Sequence, residues 1–232
     1  MKKLSKLVSI AIPCYEMHGN GLEFLEFNFN KFKNQKYDNL QIVISDHSKN
    51  DEIQQLCNKW NNVINIKYVK YEEKLGSSSA NINNAINHCD GELIKILFQD
   101  DFLYHDDSIS EIVENFEDKD EWLVTSCLHT TNGTDFYYEH KPGYNDKIHL
   151  GINTISSPSV LTIRNNRNER FDERLIWLMD CDMYRQLYDR YGLPKVLDKV
   201  NVVNRLWGNR LSDTISQDIK DNENHIISKK YQ

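Results

Sequence analysis

The sequence predicts a doubly wound α/β fold, with a mostly parallel central sheet and helices on both of its faces. Its 232 residues suffice for one large domain with a buried core. Along the first half of the chain, short apolar runs of strand length alternate with segments whose apolar residues recur at helical spacing. This alternation is typical of βαβ units joined by right-handed crossovers.

The first two strand–helix units are the clearest. The opening strand is KLVSIAIP, at 6–13, a nearly continuous apolar run that indicates burial on both faces. The second strand is NLQIVISD, at 39–46. A helix follows each strand, because apolar residues recur there at helical spacing: Leu22, Leu25, Phe29 and Phe32 in the first, and Ile53, Leu56, Cys57 and Trp60 in the second.

The same alternation continues to about residue 130. The third, fourth and fifth strands are predicted in NVINIKYVKY at 62–71, GELIKILF at 91–98 and EWLVTSCLHTT at 121–131. Two helices separate them, and their apolar faces consist of Ile82, Ala85, Ile86 and Cys89 in one and of Ile109, Ile112, Val113 and Phe116 in the other.

Beyond residue 130 the pattern is less regular. Asn132 and Gly133 favour a hairpin turn between the fifth strand and DFYYE at 135–139, although a loop is the alternative. SVLTIR at 159–164 and KVLDKVNVVNRLW at 195–207 predict two more strands. Between them lies a helix with the stripe Tyr184, Leu187, Tyr188 and Tyr191, which ends at Gly192 and Pro194, and the tail at 212–232 is polar and partly mobile.

Composition excludes several classes of protein. The formal net charge is -7, from 28 basic and 35 acidic side chains, so no nucleic acid partner is expected. The five cysteines lack CxxC spacing, which argues against a zinc site or a disulfide framework. The first apolar run is too short for a signal peptide, and no apolar stretch is long enough to form a transmembrane segment.

Polar residues directly after the strands mark the expected site, because ligands bind beyond the carboxyl ends of strands in open α/β sheets. They occur in IPCYE, ISDHSKND and FQDD. No GxGxxG or GxxxxGK[ST] motif is present, which disfavours nucleotide dehydrogenases and P-loop proteins. Adjacent carboxylates at Asp100 and Asp101 suit a divalent cation that neutralises a diphosphate leaving group. Asp106 and Asp107 fit a turn and helix cap instead.

Four motifs together carry a family resemblance. VSIAIPCYE, VISDHSKND, GSSSANINNAINHCDGELIKILFQDD and FDERLIWLMDCDMY occur in the order and spacing of the family-2 glycosyltransferases, over roughly residues 6–190. The resemblance implies a GT-A fold and a metal-dependent transfer, with inversion, from a nucleoside-diphosphate sugar to a glycan or lipid-linked acceptor. Surface polysaccharide or glycoconjugate synthesis is the expected context.

The resemblance also implies roles for individual residues. Asp180 stands at the position of the base, and Asp100 and Asp101 at the end of a DxD-type motif that holds Mg²⁺ or Mn²⁺, with Phe98 where the family often has an Asp. The late histidine of the family is absent, and Arg205, Asn209 or Arg210 would replace it. The residues expected to bind the nucleotide sugar are Pro13, Tyr15, Glu16, Asp46, Ser48, Asn83, Gln99 and Asp100.

The chain is therefore expected to be a single domain, with a nucleotide-sugar half at about 1–130 and an acceptor half at about 131–211. We expect a cytoplasmic enzyme that contacts a membrane only through a lipid-linked acceptor. The sequence carries no signal for oligomeric state. Two alternatives remain: an inactive homologue that binds a sugar nucleotide or a partner protein, and a nucleotidyltransferase, which would need a glycine- and lysine-rich loop after its first strand. Asp182, close to Asp180, is the alternative base.

Overall fold

The computed structural model describes residues 6–208 and 210–232, without the side chains of residues 211 and 212. Its strands are β1 Val8–Cys14, β2 Leu40–Asp46, β3 Ile66–Lys70, β4 Leu93–Ile96, β5 Phe102–Leu103, β6 Trp122–Thr130, β7 Tyr137–His140, β8 Leu161–Arg164 and β9 Lys195–Arg205. Its α-helices are α1 Gly21–Lys33, α2 Glu52–Trp60, α3 Ser78–Asn87, α4 Ser108–Asn115, α5 Met179–Tyr191, α6 Leu211–Thr214 and α7 Gln217–Lys230.

The strands form one mixed sheet in the order β3-β2-β1-β4-β8-β6-β9-β5, with β7 paired to β6. β1 to β4 run parallel, and β6 and β9 run parallel to each other. β8 lies between β4 and β6 and is antiparallel to both, so β4 and β6 point the same way. The predicted α/β fold with a mostly parallel sheet is confirmed.

The sheet separates two apolar cores. On β1, Ile10 and Ile12 face one side, where they meet α1, α2 and α4. Ala11, between them in the sequence, faces the other side, where α3, α5 and α7 pack. The alternation follows from the two-residue period of a strand. Because both faces are covered, the strands are apolar on both sides, as the sequence predicts.

The region beyond residue 130 contains elements that the sequence predicts and others that it does not. The predicted hairpin forms, since β7 pairs antiparallel with β6 and Gly133 adopts the positive φ of a tight turn. β5 is not predicted by any pattern, because a strand of two residues has no periodicity. It begins directly after Asp101 and pairs with β9.

The polar tail is largely helical. The Ser216 side chain caps α7 by accepting a hydrogen bond from the Ile219 N–H. Ile227 is buried against the core, and Ile226 packs beside it. No sequence pattern predicts this packing, because most residues of the helix are polar. Among the described residues, no helix is long and apolar enough to cross a membrane.

The chain packs closely around Gly91, just before β4. A Cβ atom at this position would lie 2.7 Å from the Leu7 carbonyl oxygen and 2.7 Å from the Ser9 nitrogen. Gly91→Ala should therefore lower the free energy of unfolding by about 1–3 kcal/mol in urea denaturation. Gly143→Ala is the matched control, since nothing lies within 4 Å of its added Cβ. Equal stability of the two variants would contradict the close approach.

Candidate active site

A cleft of about 720 Å³ opens at the carboxyl ends of β1, β2 and β4. The segment before β8, the start of α5 and the segment after β9 complete its wall. The cleft brings together six of the residues expected from the sequence, although they lie far apart along the chain. They are Pro13, Tyr15, Glu16, Asp100, Asp101 and Asp180.

Asp46, expected to contact the nucleotide, is fully buried at the end of β2 and does not line the cleft. One of its carboxylate oxygens accepts a hydrogen bond from the Ser48 N–H at 2.8 Å. The other accepts one from the Tyr68 hydroxyl at 2.7 Å and lies 3.4 Å from Lys70 Nζ. Asp46 and Ser48 therefore shape the loop after β2. His47, between them, lines the cleft and stacks on Tyr71 with ring centroids 5.0 Å apart.

Gln99 and Asn83 also lie behind the cleft surface. Gln99 Oε1 accepts a hydrogen bond from the Tyr15 N–H at 2.9 Å, and its Nε2 donates to the Gly21 carbonyl oxygen at 2.7 Å. These bonds fix the backbone of Tyr15. Asn83 exchanges a pair of hydrogen bonds with the backbone of Phe171, at 2.9 Å each. It thereby ties α3 to the segment that leads into α5.

Asp101 joins three parts of the chain through its carboxylate. One oxygen accepts a hydrogen bond from the Arg205 backbone N–H at 3.0 Å, and the other accepts one from the Ser157 hydroxyl at 3.2 Å. Burial, together with the neighbouring charge of Asp100, raises the pKa of Asp101 above its usual range. Both oxygens of Asp101 thus hold other parts of the chain.

Asp100 contributes a carboxylate to the cleft itself. One oxygen accepts a hydrogen bond from Trp207 Nε1 at 2.8 Å. Burial raises the pKa of Asp100 above its usual value, and the Trp207 bond acts in the opposite direction. The side chain is thus partly fixed by an aromatic residue that also lines the cleft.

Arg205 places a cation beside these two carboxylates. Its guanidinium carbon lies 4.6 Å from the ring centroid of Phe24, 5.3 Å from that of Phe27 and 5.2 Å from that of Phe102. Its Nε donates to the Asp100 carbonyl oxygen at 3.2 Å. Arg210 also lines the cleft. Asn209, the third residue suggested in place of a late histidine, lies outside the described residues.

Lys95 is a buried cation that the sequence analysis did not single out. It lies in β4 and is 0% exposed. Its Nζ donates to the carbonyl oxygens of Ser159 and Leu161. Burial lowers its pKa to about 7, and the charge of Asp101 opposes that shift. A lysine inside the apolar run GELIKILF was the available sequence signal.

Asp180 lies in the first turn of α5, with its carboxylate in the cleft. One oxygen accepts a hydrogen bond from Asn153 Nδ2 at 2.8 Å, and the other accepts one from the Cys181 N–H at 2.7 Å. Burial raises the pKa of Asp180 to about 6 and outweighs these bonds, which lower it. A carboxylate that titrates near neutral pH suits a general base.

Asp182, the alternative base, points away from the cleft. It is fully buried, and its carboxylate accepts hydrogen bonds from the Tyr231 hydroxyl at 2.7 Å and from Gln186 Nε2 at 2.7 Å. Lys230 Nζ forms an ion pair with it at 2.8 Å. These partners account for Asp182 as a structural residue, and Asp180 remains the carboxylate of this helix turn that faces the cleft.

The carboxylates of the cleft suit a cation that also binds phosphate oxygens. Within the described ranges, no group of three His, Cys, Asp or Glu side chains is arranged to bind a metal ion. Mg²⁺ in phosphate-binding sites typically takes one or two carboxylates and completes its shell with phosphate oxygens and water. The site fits that mode, with Asp100 as a carboxylate that lines the cleft.

Residues 9–196 match the family model described as Glycosyl transferase family 2. The chain belongs to glycosyl transferase family 2. The membership predicted from the four sequence motifs is thereby confirmed. The matched region runs from the second residue of β1 to the second residue of β9 and so includes the start of α5, where Asp180 lies.

One relative in sequence is the glycosyltransferase GlyG of Streptococcus pneumoniae serotype 4. It is 24% identical over 137 residues, which cover 58% of this family 2 chain and 44% of GlyG. The chain therefore spans less than half the length of this relative.

Two solved structures share the fold. S. aureus TarS 1-349, in complex with UDP-GlcNAc, has a TM-score of 0.71 and 15% identity, with 95% of this chain and 65% of that chain covered. The mannosyltransferase PcManGT from Pyrobaculum calidifontis, in complex with GDP-Man and Mn²⁺, has a TM-score of 0.67 and 16% identity, with 90% and 59% covered. These likenesses confirm the predicted GT-A fold.

The buried charge of Asp180 should lower the free energy of unfolding. Its folded-state pKa of about 6 lies above that of an unfolded aspartate. The destabilisation is therefore complete above pH 6 and disappears as the pH falls below about 4. Asp180→Asn should raise the free energy of unfolding by on the order of 2 kcal/mol at pH 8 and by less at pH 5. A variant that is less stable than the wild type at pH 8 would contradict this account.

Proposed function

We propose that this chain is a metal-dependent, inverting glycosyltransferase. It would transfer a sugar from a nucleoside-diphosphate sugar to an acceptor hydroxyl in the synthesis of a surface polysaccharide or glycoconjugate. The observation that carries the proposal is the presence in one cleft of Asp100, a carboxylate beside two arginines, and Asp180, a carboxylate whose pKa of about 6 suits a base. Family membership supports the same reaction class.

The donor would bind along the carboxyl ends of β1 and β2. Pro13, Tyr15 and Glu16 line that part of the cleft, and Gln99 fixes the backbone of Tyr15. In this proposal Asp46 and Asn83 position the loops around the donor, since their polar atoms bind other parts of the chain. The complexes of TarS with UDP-GlcNAc and of PcManGT with GDP-Man support a nucleoside-diphosphate sugar as the donor class.

The leaving diphosphate needs compensating positive charge. A bound Mg²⁺ or Mn²⁺ supplies such charge to a diphosphate, and Asp100 would be its protein ligand. Arg205 lines the same region and would add a fixed cation, and Arg210, which pairs with Asp213, lines the cleft as well. Asp101 would act through position, since its hydrogen bonds hold the backbone of Arg205 and the Ser157 hydroxyl.

Asp180 would serve as the general base. As the acceptor oxygen attacks the anomeric carbon, its proton passes to the Asp180 carboxylate, and the bond from that carbon to the diphosphate oxygen breaks. Attack from the side opposite the leaving group inverts the configuration. A pKa near 6 keeps the carboxylate ionised at neutral pH while making it a stronger base than an ordinary aspartate.

The acceptor would approach from the half of the chain beyond about residue 130. Ile176, Trp177 and Ser156 line that side of the cleft. The neighbouring hairpin exposes Tyr138, whose ring centroid lies 5.3 Å from that of the cleft residue His129. Aromatic rings with a polar edge suit a glycan or a lipid-linked sugar, and a lipid-linked acceptor would bring the enzyme to a membrane surface.

An inactive homologue that binds a sugar nucleotide is the second candidate. It is favoured by Phe98 at a position where the family often has an aspartate, and by the hydrogen bonds through which both oxygens of Asp101 hold other parts of the chain. A panel of UDP- and GDP-sugars, incubated with Mg²⁺ or Mn²⁺, separates the two candidates. Slow hydrolysis of one donor supports the enzyme, whereas tight binding of nucleoside diphosphate without any turnover supports the inactive homologue.

Asp100→Ala tests the cation site. The variant should lose the metal-dependent part of UDP or GDP binding, measured by calorimetry with Mn²⁺ and with EDTA, because the cleft-facing carboxylate is gone. Asp106→Ala removes an exposed carboxylate that does not line the cleft, so this variant should bind like the wild type. Unchanged metal dependence in Asp100→Ala would remove this residue from the cation site.

Asp180→Asn tests the base. It keeps the shape of the side chain and removes its basicity, so kcat for donor turnover should fall by about 10²–10⁴-fold while the donor KM stays nearly constant. In the wild type, kcat/KM should rise with pH through about 6, and the variant should lose this limb. Survival of turnover in Asp180→Asn with its collapse in Asp182→Asn would identify Asp182 as the base.

A further inference from the structure

Helix α7 contributes a buried carboxylate to the segment that leads into Asp180. Glu223, near the middle of α7, is only 1% exposed. Its Oε1 accepts a hydrogen bond from the Ile176 N–H at 2.7 Å. Its Oε2 accepts bonds from the Trp177 N–H at 3.0 Å and the Leu178 N–H at 2.8 Å. Three consecutive backbone groups thus depend on one side chain.

This arrangement has a physical reason. Residues 176–178 precede α5, so their N–H groups lie outside its regular hydrogen bonding. Buried backbone N–H groups without a partner are costly, and so is a buried carboxylate. Here the N–H groups of residues 176–178 and the Glu223 carboxylate serve as each other's hydrogen-bond partners. A negative charge near the start of α5 is also favourable because of the helix dipole.

A second contact of α7 holds the chain just after Asp180. At the end of α7, the Tyr231 hydroxyl and Lys230 Nζ bind the two carboxylate oxygens of Asp182, at 2.7 Å and 2.8 Å. Lys220, also on α7, places its Nζ 5.4 Å from the ring centroid of Trp177, which lines the cleft. The helix therefore contacts the chain both before and after Asp180.

We infer that α7 supports the segment that carries Asp180 and that Glu223 is a positioning residue for this base. This inference rests on the proposed function. Glu223 does not line the cleft, and the partners described for its carboxylate are backbone groups. It acts by holding residues 176–178, whose displacement would move Asp180 away from the acceptor hydroxyl. Small errors in such positions are costly to the rate.

Glu223→Gln tests the inference in the full chain. Glutamine keeps the size of the side chain, but its NH₂ group cannot accept a hydrogen bond. Hydrogen exchange of the amides of residues 176–178 should accelerate by about tenfold or more. With the donor selected by the hydrolysis panel, kcat should fall by about tenfold or more. The donor KM and the Mn²⁺-dependent binding of nucleoside diphosphate should remain at wild-type values.

Two control variants separate positioning from general destabilisation. Asp221→Asn removes a charge from the exposed side of α7 and should change neither exchange nor kcat. Ile227→Val loosens the buried side of α7 without altering the acceptors of residues 176–178. It should lower the thermal midpoint and leave kcat unchanged. Glu223→Asp, which keeps the charge on a shorter stem, provides the same comparison if the glutamine variant folds poorly.

The outcomes are distinguishable. Unchanged exchange at 176–178 in the Glu223 variants overturns the contact, and faster exchange with unchanged kcat overturns the positioning role. An equal fall in kcat for Ile227→Val also overturns it, because loosening of α7 would then suffice. If the Glu223 variants exchange faster but the wild type hydrolyses no donor, the contact between Glu223 and residues 176–178 is supported. The proposed function is then contradicted.

Discussion

The carboxylate of Asp101 is the constraint on which the arrangement of the cleft depends. It links the segment between β4 and β5 to the backbone of Arg205 at the end of β9 and to Ser157 before β8. In the sheet, β4 and β9 lie on opposite sides of the antiparallel β8. The link fixes Asp100, the preceding residue, at the cleft surface. It also sets the Arg205 guanidinium beside both carboxylates.

These contacts keep several ionisable groups buried. Burial raises the pKa of Asp100, Asp101 and Asp180, and it lowers that of Lys95. Each shift means that the charged form is disfavoured in the folded protein. The charged forms of these groups therefore lower the free energy of unfolding. The two apolar cores on the faces of the sheet, and the hydrogen bonds from Arg205, Trp207 and Asn153, compensate for that cost. Active sites commonly combine such local cost with a stable framework.

Most of the fold was predictable, because long apolar runs and helical stripes depend on local periodicity. The position of β8 between β4 and β6 was not, since strand order follows from contacts distant in sequence. Motif position located Asp100 and Asp180 in the cleft. It predicted a donor contact for Asp46, whose carboxylate is held by Ser48 and Tyr68. The next residue, His47, lines the cleft, because neighbouring residues at the end of a strand point in opposite directions. Glu223 was missed because a buried carboxylate in a polar helix has no signature in sequence.

The central claim is that one cleft holds a nucleoside diphosphate and its cation beside Asp100, with Asp180 as the base. Anomalous X-ray diffraction from crystals grown with Mn²⁺ and UDP or GDP tests it most directly. The account predicts a manganese peak next to the Asp100 carboxylate, with the diphosphate between that peak and Arg205. A nucleotide bound in this cleft with manganese elsewhere, or a nucleotide bound outside the cleft, would contradict the claim.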